Sequence, residues 1–283
     1  MKDRLISAIL IITIMAVLIF LSSVPFVLNT AVALLSAAAL YEVLIITKYV
    51  ESKTLMAISL ILAFIIPFIN VILFAIPVRY LISTALIGCI FAYTLFVFMS
   101  LLFSSEKFSL EHLSVVFLMS IIIPCFFSTI VYSHALEGGT LNLVLIFMCA
   151  WGADSGGYVF GRLFGRHKLT PKISPKKTVE GFIGGLMSST SGILIVSFIA
   201  DTINEALSVN YIAVVVYGII GGCCAVLGDL FASVIKRSFN VKDFGKLIPG
   251  HGGIMDRFDS VLFTAPFLYV AITIVPVFVS TVA

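Results

Sequence analysis

The chain is short of charge: Asp, Glu, Lys and Arg together make up 11% of its 283 residues, against 61% hydrophobic. A soluble domain carries roughly 25% charged residues to hydrate its surface, so this scarcity excludes a water-soluble globule and makes bilayer the natural solvent. Cysteine is sparse and unpatterned. Cys89, Cys125, Cys149, Cys223 and Cys224 all fall in apolar stretches without metal-type spacing, so they are expected to be small buried hydrophobes rather than disulfides or zinc ligands. There is no internal repeat, low-complexity tract or long linker, and the absence of symmetry between the halves argues against a transporter built from inverted repeats. No nucleic-acid partner is expected.

What is present is long apolar runs. About 20 residues cross roughly 30 Å of hydrocarbon, and backbone groups in lipid must be satisfied internally, which selects helices. Runs near 5 to 22, 25 to 47, 54 to 76, 80 to 104, 112 to 133, 141 to 161, 179 to 200, 211 to 235 and 260 to 281 predict an all-α integral membrane protein of about nine transmembrane helices. The third run, interrupted by Pro67 and Asn70, is expected to be kinked or re-entrant. Nine spans put the termini on opposite sides, and alternating the loops then places every one of the 17 Lys and Arg except Arg79 on the side of the N-terminus. The positive-inside rule makes that side cytoplasmic and the C-terminus external. Lys2 and Arg4 precede an apolar run without a small-residue cleavage site, so a retained first helix is expected.

The halves differ. Residues 1 to 140 are almost purely apolar, whereas 141 to 283 hold eleven of the 17 basic residues, between Arg162 and Arg257. Function is expected in the second half, around two basic cytoplasmic loops, 162 to 178 and 236 to 259, each too short to fold alone. Ionisable groups inside spans cost about 2.5 to 3.5 kcal/mol on insertion scales and usually mark a site. Asp154, Asp229, Glu180 and Glu42 are of this kind; for Glu42 an interhelical hydrogen bond is an equal reading. Gly157, Gly161 and Gly165, spaced by four, are explained by close helix packing alone, but the neighbouring Asp154 is not.

The densest chemistry runs from Ser233 to Asp259. On a helix Asp229, Ser233 and Lys236 share one face, bringing a carboxylate, a hydroxyl and an ammonium to one wall. Such a wall suits a polyphosphate with Mg²⁺, which takes one or two carboxylates together with substrate phosphates. Pro249-Gly250-His251-Gly252-Gly253 is too rich in glycine to continue a helix and lets amides approach an anion. In the other loop, Ser174-Pro175-Lys176-Lys177-Thr178 ends at a helix start where Thr178 is a natural N-cap. Scattered lysines are explained equally well by the positive-inside rule or by anionic lipid; buried aspartates, and Asp256 and Asp259 flanking Arg257, are not.

The pattern S-x-x-K-R-x4-K-D-x5-P-G-H-G-G-x-x-D-R-x-D from Ser233 to Asp259 resembles the signature of the phosphatidate cytidylyltransferase family. The resemblance extends to Asp154 through Gly161 and Ile173 through Gly181, and in the first half rests on hydropathy alone. Gly157 departs from it, standing where a small residue such as Ala is expected. The resemblance implies Mg²⁺-dependent transfer of CMP from CTP to phosphatidate, with Asp229 and Asp256 at metal-binding positions, in the cytoplasmic membrane of a bacterium. It leaves open a second, monovalent cation and a homodimer. Residues expected to carry the chemistry are Asp154, Asp229, Lys236, Arg237 and Asp256. Those expected to hold substrate are Ser174, Lys176, Lys177, Thr178, Ser233, Lys242, Asp243, Gly250, His251, Gly252, Gly253, Arg257 and Asp259. A CTP-dependent lipid-alcohol kinase is the nearest alternative, and an anion transporter a more distant one.

Overall fold

The computed structural model describes residues 10, 13–47, 53–74, 87–88, 90–99, 110–245, 247 and 252–280. Helices follow the apolar runs: α1 Thr13–Ser23, α2 Val27–Ile46, α3 Lys53–Phe74, α4 Ile90–Met99, α5 Leu110–His134, α6 Gly139–Phe164, α7 Val179–Ile203, α8 Tyr211–Ser238 and α9 Met255–Ile274. Among the described residues six are long and apolar enough to cross a membrane, those of α2 and α5 through α9. Pro67 lies inside α3, which continues through it to Phe74, and the Pro67 carbonyl accepts the Asn29 side-chain amide of α2 at 2.9 Å.

The chain is not wholly helical. Lys168–Thr170 (β1) and Ser174–Thr178 (β2) form an antiparallel hairpin, and Leu207–Val209 (β3) pairs with Phe278–Ser280 (β4). Open strand edges need water, and both pairs lie between or beyond the long helices. The first basic loop is thus shorter than expected and folded, because α6 continues to Phe164 and the hairpin packs on α6 and α7. The second is also shorter than expected, because α8 continues to Ser238. α9 begins at Met255, so Asp256 and Asp259 stand on a helix rather than in a loop.

One hydrophobic core joins both halves, with Leu40 and Val43 of α2, Phe127 of α5, Cys149 of α6 and Val261 and Leu262 of α9 all buried in it. The most extensively packed helix pair is α6 with α7, and glycine allows it. A Cβ on Gly185 would lie 2.7 Å from the Ala153 carbonyl, and one on Gly181 2.7 Å from the Gly157 carbonyl. Gly161 and Gly165 likewise face Thr178. The small residues around Asp154 therefore serve packing, and they bring the hairpin over the aspartate.

Candidate active site

At the end of the bundle where the hairpin packs on α6 and α7 and reaches α8 through Lys177, a cavity of about 390 Å³ opens. The hairpin contributes Leu169, Ser174, Lys176, Lys177 and Thr178; α6 contributes Asp154, Gly157 and Tyr158; α7 contributes Gly181 and Phe182; α8 contributes Val226, Asp229 and Lys236; Asp243 follows from the segment after α8, and Asp256, Arg257 and Asp259 from α9. Four cations and five aspartates from three separate stretches of sequence thus face one space.

Local chemistry sets each piece. Thr178 caps α7, its Oγ1 accepting from the Gly181 amide at 3.1 Å, so β2 stops where the helix starts and Lys177 is held at the cavity. Glu180, in the first turn of α7, accepts from the Arg166 amide at 3.0 Å and the His167 amide at 3.2 Å, and meets His167 Nδ1 at 2.6 Å. That anchors the entry to the hairpin at the positive end of the helix. On α8 the expected face is present: Ser233 donates to Asp229 Oδ1 at 3.4 Å, and Lys236 lies further along.

Two ion pairs organise the charges. Lys177 Nζ sits 2.8 Å from Asp229 Oδ2, and donates to the Val226 carbonyl at 3.4 Å. Lys236 Nζ sits 2.8 Å from Asp256 Oδ1, with those side chains only 10% and 3% exposed. Asp256 Oδ2 accepts the amides of Phe244 at 2.8 Å and Gly253 at 3.0 Å, and Lys236 also lies over the Phe244 ring, 5.2 Å from its centre. Asp259 is buried, accepts the Ser260 amide at 2.9 Å, and feels the charges of both Asp229 and Asp154. Three carboxylates within electrostatic reach repel one another unless cations stand among them.

Other expected residues stand apart from the cavity lining. Arg237 turns to the hairpin and the segment after α8, its Nε donating to the Ile173 carbonyl at 3.4 Å and Nη1 to the Val241 carbonyl at 3.3 Å; it braces the two loops against each other. Ser233 sits behind Asp229, and Lys242 is exposed. Gly252, at φ +86, makes the turn that only glycine adopts readily, with Asp256 and Asp243 where a side chain would go. The Gly253 amide is occupied by Asp256. Gly250 and His251 lie outside the described residues. Sequence reasoning missed the apolar side of the cavity, Leu169, Tyr158, Phe182 and Val226. The signal was helical spacing, since Tyr158 stands one turn after Asp154 and Phe182 one turn after Thr178.

The donor chemistry fits a hard cation. Among the described residues no three His, Cys, Asp or Glu side chains form a ready-made metal-binding group. Mg²⁺ needs none, because it retains waters and takes one or two carboxylates alongside phosphate oxygens. Asp229 and Asp256 line the same cavity, each now holding a lysine.

A profile of the Cytidylyltransferase family matches residues 2–275. Over 138 residues the chain is 45% identical to a phosphatidate cytidylyltransferase of Staphylococcus haemolyticus (strain JCSC1435), covering 48% of this chain and 51% of that protein. It is 38% identical over 183 residues to a phosphatidate cytidylyltransferase of Rickettsia bellii (strain RML369-C), covering 62% of this chain and 78% of that protein. The chain thus spans about half the length of the staphylococcal relatives it matches.

Proposed function

The chain belongs to the cytidylyltransferase family, and on that footing we propose that it transfers CMP from CTP to phosphatidate, forming CDP-diacylglycerol and pyrophosphate at the cytoplasmic face of a bacterial membrane. The observation that carries this reading is the cavity that gathers Lys177, Lys236 and Arg257 with Asp154, Asp229 and Asp256. Cations placed there suit a polyphosphate, and carboxylates among them suit its metal. The apolar wall of Tyr158, Phe182 and Val226 suits the less polar parts of the reactants.

In this reading a phosphate oxygen of phosphatidate attacks the α-phosphorus of CTP, the new P–O bond forms, and the bond from the α-phosphorus to the oxygen that joins it to the β-phosphate breaks, so that oxygen leaves with pyrophosphate. A phosphate dianion is already a competent nucleophile, so no side chain has to remove a proton, and positioning and charge neutralisation dominate. Lys177 and Lys236 exchange their carboxylate partners for phosphate oxygens, and Arg257 adds charge beside them. Mg²⁺ held by Asp229 and Asp256 would supply further neutralisation of the leaving group.

The reading includes nine spans with a cytoplasmic N-terminus and an external C-terminus, supported by the distribution of Lys and Arg. Purified protein in detergent, given CTP, Mg²⁺ and phosphatidate, is expected to yield CDP-diacylglycerol and pyrophosphate. Release of CDP would instead assign a CTP-dependent kinase, and no product under varied lipid and salt conditions would end the proposal.

A further inference from the structure

The start of α9 carries no side-chain cap of its own: Ile254 precedes it in helical conformation and makes no capping bond. Its first amides are nevertheless satisfied, by a residue from the other half of the chain. Glu42, near the end of α2 and 1% exposed, accepts the Ile254 amide through Oε1 and the Met255 amide through Oε2, each at 2.9 Å. A carboxylate at a helix N-terminus meets unpaired N–H groups and the positive end of the dipole. Gly245 and Gly253 enclose it, since a Cβ on either would run into the Glu42 carboxyl group. Neither glycine has positive φ, so what each provides is space.

We propose that Glu42 is a positioning residue for the site: it fixes the first turn of α9, and thereby Asp256, while Gly245 and Gly253 leave the room its carboxyl group needs. Asp256 lies one residue beyond the second bond and pins Phe244 and Gly253 with one oxygen and Lys236 with the other. Two carboxylates, Glu42 and Asp256, therefore consume the amides of Gly253, Ile254 and Met255, so these three donors are not available to a substrate phosphate. Gly245 and Gly253 are required by Glu42, because a side chain at either would occupy the place of its carboxyl group. The first half of the chain, otherwise apolar, enters the site through this residue.

The inference rests on the proposed cytidylyltransfer only for its kinetic arm. In that arm Glu42→Gln, which keeps size and one acceptor, is expected to lower kcat about 10- to 100-fold, the usual effect of removing an outer partner of a site residue. The Mg²⁺ concentration for half-maximal rate should rise several-fold, with the KM for phosphatidate changed less than twofold. The structural arm is hydrogen exchange of the full-length protein in detergent. Ile254 and Met255 amides are expected to exchange at least tenfold faster in Glu42→Gln, with α8 unchanged. Because Glu42→Ala alone can act by unfolding, Gly245→Ala supplies a second handle. It is expected to impair the protein with Glu42 present and to add nothing in Glu42→Ala, since the obstructing carboxyl is gone. Unchanged exchange at Ile254 and Met255, or additive effects of the two alanine substitutions, overturns the proposal even if CDP-diacylglycerol synthesis stands. An inactive wild-type protein with the exchange result as expected would overturn the activity and leave Glu42 in its role.

Discussion

Lys177 on the hairpin and Asp229 on α8 are joined by a 2.8 Å ion pair across the cavity, each about a quarter exposed at 21% and 29%. Phosphate entering this space competes with Asp229 for the ammonium. Lys177→Ala is therefore expected to raise the KM for CTP by about tenfold, the order of one charge-assisted hydrogen bond, while the phosphatidate dependence shifts little. Lys176→Ala should act in the same direction and more weakly, because Lys176 is exposed at the rim. Steady-state kinetics with each substrate varied decides; an effect confined to phosphatidate would reassign the hairpin to the lipid headgroup.

Asp229→Asn and Asp256→Asn should each abolish turnover, and the double variant should be hardly worse than either, because the two are proposed to act as a unit. Their stabilities should differ. The Asp229 pair is partly solvated, so its loss costs under about 1 kcal/mol. Asp256→Asn leaves Lys236 buried without its counter-charge, which costs about 3 kcal/mol. Thermal unfolding in detergent separates them: equal melting shifts would contradict the buried role of Asp256. Retained activity in Asp229→Asn would make Asp154, on the same cavity, the next candidate ligand.

The helices were legible because burial in lipid leaves long apolar runs, and the Thr178 cap and the Asp229, Ser233 and Lys236 face were legible because they depend on spacing within one element. The start of α9 was not. The carboxylate that accepts its first amides is Glu42, 212 residues away from Ile254, and Ile254 itself offers no capping side chain. The β1–β2 hairpin was equally hidden, since Lys168 to Thr178 is polar and owes its shape to Glu180, Arg237 and packing on α6 and α7. Arg237 shows the limit of motif reading. The pattern places it beside Lys236, but on a helix adjacent residues point about 100° apart, and only Lys236 reaches the cavity.

Orientation follows from charge. Cysteine labelling of single-cysteine variants is expected to find the N-terminus accessible from the cytoplasm and the C-terminus from outside, as the placement of all basic residues but Arg79 on one side requires. Both termini on one side would remove one span from the nine and place the hairpin by a different count.

The contact between α6 and α7 offers a test of how tightly Asp154 is set. On α7, a Cβ at Gly185 would lie 2.7 Å from the Ala153 carbonyl and 3.5 Å from the Gly157 nitrogen, both rigid backbone of α6. At Gly192 the nearest atom is the terminal methyl of Met148, 3.4 Å away and free to rotate. Gly192→Ala is accordingly expected to be neutral or to stabilise by up to about 1 kcal/mol, through the helix preference of alanine over glycine. Gly185→Ala adds the same methyl against backbone and is expected to destabilise by about 1 to 3 kcal/mol. It should also reduce turnover beyond what the folded fraction explains, because the displaced carbonyl belongs to the residue before Asp154. Melting temperature and specific activity of the two variants, compared at equal folded protein, test both halves of the argument. If Gly185→Ala behaves like Gly192→Ala, the α6–α7 approach is looser than the geometry states, and the glycines flanking Asp154 need a reason other than packing.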